Sequence, residues 1–215
     1  MTLALAPRAG CRLHAGGDSA VRCVAWVMLA LLLGACSGRD PLVFSQQVKK
    51  SGNWQIEKTV DRVTGTPVAS ALLKTRASNS GADFPMPAMM QLTCFDKTPL
   101  VRFSFEFKIG SDKNSILGYR FDEKPGRDNV ESRILIGYTV MVIEDPAEVY
   151  RFVQDLATSN ALVVRIRSLN AGRTIADFKL DGAQAAIEAG FAGCPVVEPP
   201  PPPPVVEKRR RRANT

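Results

Sequence analysis

Residues 100–109 read LVRFSFEFKI. Phe103, Phe105, Phe107 and Ile109 alternate with Arg102, Ser104, Glu106 and Lys108. Successive side chains of a strand point to opposite faces, so this stretch predicts a strand with one face in a core and one in water. Val164-Arg165-Ile166-Arg167 repeats the pattern, apolar on one face and arginine on the other. Working outward, strands are expected at 54–60, 69–75, 88–95, 117–122, 132–136, 139–143, 162–168 and 174–180. Turn chemistry separates them: Thr64-Gly65-Thr66-Pro67, Gly110-Ser111-Asp112, Lys124-Pro125-Gly126 and Asn170-Ala171-Gly172.

Two helices interrupt the strands. Asp145-Pro146-Ala147-Glu148 offers an N-cap, a proline at the first helical position and a capping-box glutamate. Val149, Phe152, Val153 and Leu156 follow at helical spacing and predict one buried stripe. A second helix is expected to start at Asp181-Gly182-Ala183-Gln184, with the aspartate as its cap, and to end near residues 190–194. The expected fold class is mainly β: an antiparallel β-sandwich or partly open barrel with two short covering helices.

The chain ends have a different character. The 215 residues carry 28 Lys and Arg against 21 Asp and Glu, a net charge of +7. Residues 36–196 hold 20 basic and 18 acidic side chains, so most of the excess sits outside the β-rich region. A nucleic-acid-binding domain should carry its charge on the fold, and none is expected as a partner. Residues 23–35, CVAWVMLALLLGA, form an uncharged apolar run of 13 residues after Arg22. That is too short to span a bilayer but long enough for a signal-peptide core. The run ends in Leu33-Gly34-Ala35-Cys36, small residues before a cysteine with leucine three positions upstream. This is the pattern of a bacterial lipoprotein cleavage site, in which the Cys36 thiol receives the lipid. Ser37 in place of aspartate, by resemblance to lipoproteins in general, implies the outer membrane. The stretch before Arg22 is long for a signal, and translation is expected to start near Val21.

The expected organisation is therefore a signal peptide at 1–35, a lipidated Cys36 and tether at 36–52, a β-rich periplasmic domain at 53–196, and a tail at 197–215. Residues 199–204 are six consecutive prolines, a stiff rod about 19 Å long. Lys208, Arg209, Arg210, Arg211 and Arg212 follow, and are candidates for binding an anionic surface such as lipopolysaccharide or peptidoglycan.

Of five cysteines, Cys11 and Cys23 would leave with the signal and Cys36 would be acylated. Cys94 and Cys194 remain in a compartment where disulfides persist. Met90, Leu92 and Cys94 share one strand face, while Ala183, Ile187, Phe191 and Cys194 share one helical stripe. Both thiols are expected to meet in one core and pair. The one histidine, His14, lies in the signal. Without it the mature chain has no Ser-His or Cys-His pair and no histidine-containing zinc site. Phosphate-loop, dinucleotide and nucleophile-elbow motifs are absent. Asp122-Glu123 and Glu144-Asp145 are neighbours at strand ends and read as turn and cap residues. No cofactor, metal or catalytic residue is expected.

From Trp54 to Cys194 the chain resembles the VasI/TagO-like accessory proteins of bacterial type VI secretion. The resemblance runs through Trp54-Gln55-Ile56, Leu92-Thr93-Cys94, Tyr119-Arg120-Phe121-Asp122 and Val163-Val164-Arg165-Ile166-Arg167. It ends on Ile175-Ala176-Asp177-Phe178-Lys179-Leu180-Asp181-Gly182 before a last helix and Cys194. Pro195 departs from the Cys-x-Trp ending of that family, and the tail is unlike it. The resemblance implies a non-enzymatic, outer-membrane-anchored periplasmic lipoprotein assisting a cell-envelope assembly, with an envelope protein as partner. The alternative is an envelope-binding or inhibitory module that holds peptidoglycan or a hydrolase.

Overall fold

The computed structural model describes residues 47–200. Cys36, the signal and tail residues 208–212 lie outside the described residues. Eleven strands form one curled antiparallel sheet, a half-barrel. They are β1 (Gln47–Ser51), β2 (Trp54–Val60), β3 (Pro67–Asn79), β4 (Met86–Phe95), β5 (Thr98–Phe105), β6 (Ser115–Phe121), β7 (Arg127–Val130), β8 (Arg133–Leu135), β9 (Val140–Ile143), β10 (Ala161–Ser168) and β11 (Gly172–Lys179). Helices α1 (Pro146–Ala157) and α2 (Ala183–Gly190) complete the domain. Of the two expected forms, the chain adopts the partly open barrel rather than two facing sheets.

The sheet runs β7-β6-β10-β11-β3-β4-β5-β9-β8, and β3 is its spine. One edge of β3 pairs with β4, while its other edge is shared. There β2 takes the first half, from Val60↔Pro67 to Trp54↔Leu73, and β11 takes residues 77–79. At the fork, the Thr75 hydroxyl donates to the Asp177 carbonyl at 2.6 Å. Trp54 is fully buried beside it and donates its indole N–H to the Leu180 carbonyl at 3.3 Å. The outermost strands of the path, β7 and β8, are separated in the chain by only Glu131 and Ser132. The sheet must therefore curl until its two edges approach each other.

Helix α1 lies over the inner face and lends it Val149, Phe152, Val153 and Leu156, the four residues expected. The Phe152 ring meets Phe103, Tyr119 and Phe121 at 6.0, 5.1 and 5.1 Å in edge-on contacts. Asp145 caps the helix by accepting from the Glu148 N–H at 2.9 Å. The Glu148 carboxylate does not close a capping box. It accepts instead from Arg127 at 3.0 and 3.2 Å and from Arg151 at 3.0 Å, clamping β7 to the helix. At the other end of α1, Lys124 reaches Asp155 at 3.0 Å and Thr158 at 2.7 Å. Helix α2 packs on β2, β3 and β4. Its cap is Gly182 at φ 87°, with no side-chain cap bond, rather than Asp181. A Cβ at Gly182 would lie 2.2 Å from the Ser51 carbonyl oxygen, so a close backbone crossing sets this helix start.

Three elements differ from expectation. Gln47–Ser51, placed in the tether from sequence, pairs with β2 as a strand. Arg127–Val130 forms β7 through a register shift against β6, with Asn129 at φ 56°. Strand β5 ends at Phe105, where the chain bends toward the β8–β9 turn. Ile109 is still buried in the core, and its N–H bonds the Tyr138 carbonyl at 2.9 Å.

Candidate functional site

Cys94 at the end of β4 and Cys194 after α2 are joined in a disulfide, with Cα atoms 5.9 Å apart. It fastens the segment leaving α2 to the sheet, beside Gly190, which packs flush on Leu92. The remaining predicted site residues, Cys36 and Lys208, Arg209, Arg210, Arg211 and Arg212, lie outside the described residues.

Three of the four acids singled out in sequence, Asp122, Glu144 and Asp145, have structural partners. Asp122 accepts from the N–H groups of Asn160 and Ala161 at 2.9 and 2.7 Å, fixing the α1–β10 link. Glu144 pairs with Arg133 at 2.7 Å. Among the described residues there is no cluster of three or more His, Cys, Asp or Glu side chains able to hold a metal. One buried titratable group stands apart. The Tyr119 hydroxyl is buried without a hydrogen-bond partner among the described residues, and burial pushes its pKa up to about 12, with Arg127 and Glu148 acting as smaller opposing charges.

The surface carries the more distinctive arrangement. Residues 47–200 hold 19 basic and 18 acidic side chains, nearly balanced in sum. In space they are sorted. Leu162, Val164 and Ile166 of β10 point inward, so Arg165 and Arg167 point outward. The register sets Arg165 beside Gly118 and Ile175, and Arg167 beside Ile116 and Arg173. Asp128 of β7 reaches across Gly118 to Arg165 at 3.1 Å and Arg167 at 2.7 Å. A Cβ at Gly118 would approach the Asp128 carboxylate to 2.9 Å, so glycine opens this path. Burial pushes the Asp128 carboxyl up, but the Arg165 hydrogen bond, the Asn129 N–H and the two guanidinium charges outweigh it and hold the carboxyl below its ordinary value. Arg173 and Arg120 have no side-chain partner among the described residues.

One end of the half-barrel gathers four loops, at 80–85, 106–114, 136–139 and 169–171. They are tied together: Asn79 donates to the Ala171 carbonyl at 3.0 Å, Leu169 N–H to Asn114 at 3.3 Å, and Ile109 N–H to Tyr138. Three of these loops present a large side chain to water: Phe84 is 65% exposed, Leu169 is 89%, and Ile136 and Tyr138 are 66% and 48%. Ile136, Gly137 and Tyr138 have φ of 47°, 59° and 67° in succession. A β-branched residue in the left-handed region is an outlier, and each such residue costs of order 1–3 kcal/mol. The turn is thus held in a conformation that turns two apolar side chains outward. Between Arg167, Arg173, Ser168, Asn114, Ile116 and Leu169 lies an open hollow of about 550 Å³. Sequence reading missed this site because its members come from four separate loops. The signal available was the Val-Arg-Ile-Arg alternation and the exposed Leu169 beside a turn.

No protein-family model, curated protein or solved structure matches the chain.

Proposed function

We propose that the chain is an outer-membrane lipoprotein, anchored through Cys36, whose β-rich domain assists a cell-envelope assembly in the periplasm without catalysing a reaction. The observation that carries this reading is Leu33-Gly34-Ala35-Cys36 at the end of a short apolar run. A domain stapled by Cys94–Cys194 suits an oxidising compartment, since such bridges are rare in the cytosol. Type VI secretion is the assembly that the resemblance of residues 54–194 points to. Deleting the gene in a strain with an active system should reduce effector secretion, and restoring it with Cys36→Ser should not rescue. Unchanged secretion, together with sedimentation of the chain on purified peptidoglycan, would favour the binding or inhibitory module instead.

A further inference from the structure

We infer that the loop end bearing Phe84, Ile136, Tyr138 and Leu169, with Arg167 and Arg173 behind it, docks on the surface of an anionic phospholipid bilayer. Each element of the argument is geometric. The apolar side chains sit at the tips of loops that hydrogen bonds bind together, so they advance as one rim. Side chains that are apolar at the tip and cationic just behind suit an interface: the tip enters the acyl boundary and the guanidinium groups meet phosphate. Arg167 lies two residues back from Leu169 on β10 and Arg173 pairs with Arg167 across the turn, so both sit roughly 7 Å behind the tip. That matches the depth of an interfacial element, whose apolar face sinks about 5–10 Å.

Charge selects this end over the other. Lys108, Lys113, Arg167 and Arg173 outnumber Asp83, Glu106 and Asp112 here, and Asp128 is already held by Arg165 and Arg167. The opposite end also exposes apolar residues, Val63 and Phe95, but carries Asp61, Asp96, Asp122 and Glu123 against Arg62, Lys97 and Lys124. An anionic surface attracts the first and repels the second. Nucleic acid fits less well. The aromatic residues of β6 and β11, Tyr119, Phe121 and Phe178, are all buried inward, so the arginine-bearing strands offer no platform on which bases could stack, and the exposed Phe84 and Tyr138 stand on two different loops. Gln47 pairs with Lys58 toward the opposite end, so this contact is separate from any lipid on Cys36 and does not rest on lipidation.

Hydrogen exchange of the full chain, read peptide by peptide, tests the inference locally. Vesicles of phosphatidylglycerol and phosphatidylcholine should protect loops 80–85, 136–139 and 169–171 and leave 61–66 unchanged. Pure phosphatidylcholine should protect them little. R173Q, on an exposed side chain, and R167Q, on a half-buried one, should each raise the vesicle concentration for half protection by about fivefold. L169S with Y138S should abolish the protection while circular dichroism stays native. Attachment through the apolar run, a lipid or the basic tail would leave these loops exchanging freely, and that result overturns the inference. So does protection of the same loops by a single-stranded oligonucleotide but not by anionic vesicles.

Discussion

Gly52 and Gly182 face each other where the β1–β2 turn crosses the start of α2. Each sits at positive φ, 55° and 87°, and each leaves room for the other's backbone. A Cβ on Gly52 would lie 2.3 Å from the Asp181 carbonyl oxygen, and one on Gly182 would lie 3.0 Å from the Gly52 nitrogen. This crossing holds β1, β2, β11 and α2 together at the fork of the sheet, next to the bond from Asn53 N–H to the Asp181 carbonyl at 3.0 Å.

Alanine at either glycine is expected to destabilise the domain by about 2–5 kcal/mol, combining the left-handed penalty with overpacking against backbone that has nowhere to move. Gly65, also at positive φ but with open space around it, should lose only about 1–2 kcal/mol on the same change. Denaturant midpoints for the three variants check the ranking.

The Cys94–Cys194 bridge closes a loop with a sequence separation of 100. In the chain-entropy model such a bridge contributes about 4–5 kcal/mol. Reduction should therefore lower the melting temperature strongly, and Cys94→Ser should match the reduced protein. A melting temperature indifferent to reductant would contradict the staple.

Tyr119 couples stability to alkaline pH. Its folded pKa is about 12 against an ordinary value of 10.0, so the folded state holds the phenol proton more tightly. The stabilisation is full below about pH 10 and is lost as pH rises through 12, roughly 2–3 kcal/mol in all. Tyrosinate absorbance should show one of the three tyrosines titrating last. Tyr119→Phe should abolish that late step and raise stability by about 1 kcal/mol, because it removes a buried hydroxyl with no partner.

Asp145→Ala should cost about 1 kcal/mol through loss of the α1 cap. Asp181→Ala should cost less at this terminus, since Gly182 and not Asp181 occupies the cap of α2. Comparing the two variants by urea unfolding tests the corrected cap assignment.

What sequence could reveal depended on whether one local period carried the information. Strand β2 and helix α1 were legible because each shows one uninterrupted apolar stripe, at Trp54 and Ile56 and at Val149 to Leu156. Strand β1 was not legible: Gln47 to Lys50 are exposed, so no period-2 pattern exists to read. Strand β7 is Arg-Asp-Asn-Val with a register shift, and its pairing is decided by Gly118 opposite and by the Arg127–Glu148 clamp. The β5 pattern overran its strand because Phe107 and Ile109 continue to face the core after the backbone has bent. The cysteine pair was legible from the two faces on which the thiols lie. The loop-end site was not, since its near-neutral residue sum hides a sorting that only strand register creates.

We propose a signal-cleaved, lipid-bearing chain, and its β domain is closed by the Cys94–Cys194 disulfide. The intact mass of the protein purified from envelopes tests all three parts at once. The expected species is a chain beginning at Cys36, heavier by its acyl groups and lighter by the two hydrogens lost when Cys94 and Cys194 join. A mass that retains residues 1–35, or a free unacylated Cys36, would contradict it.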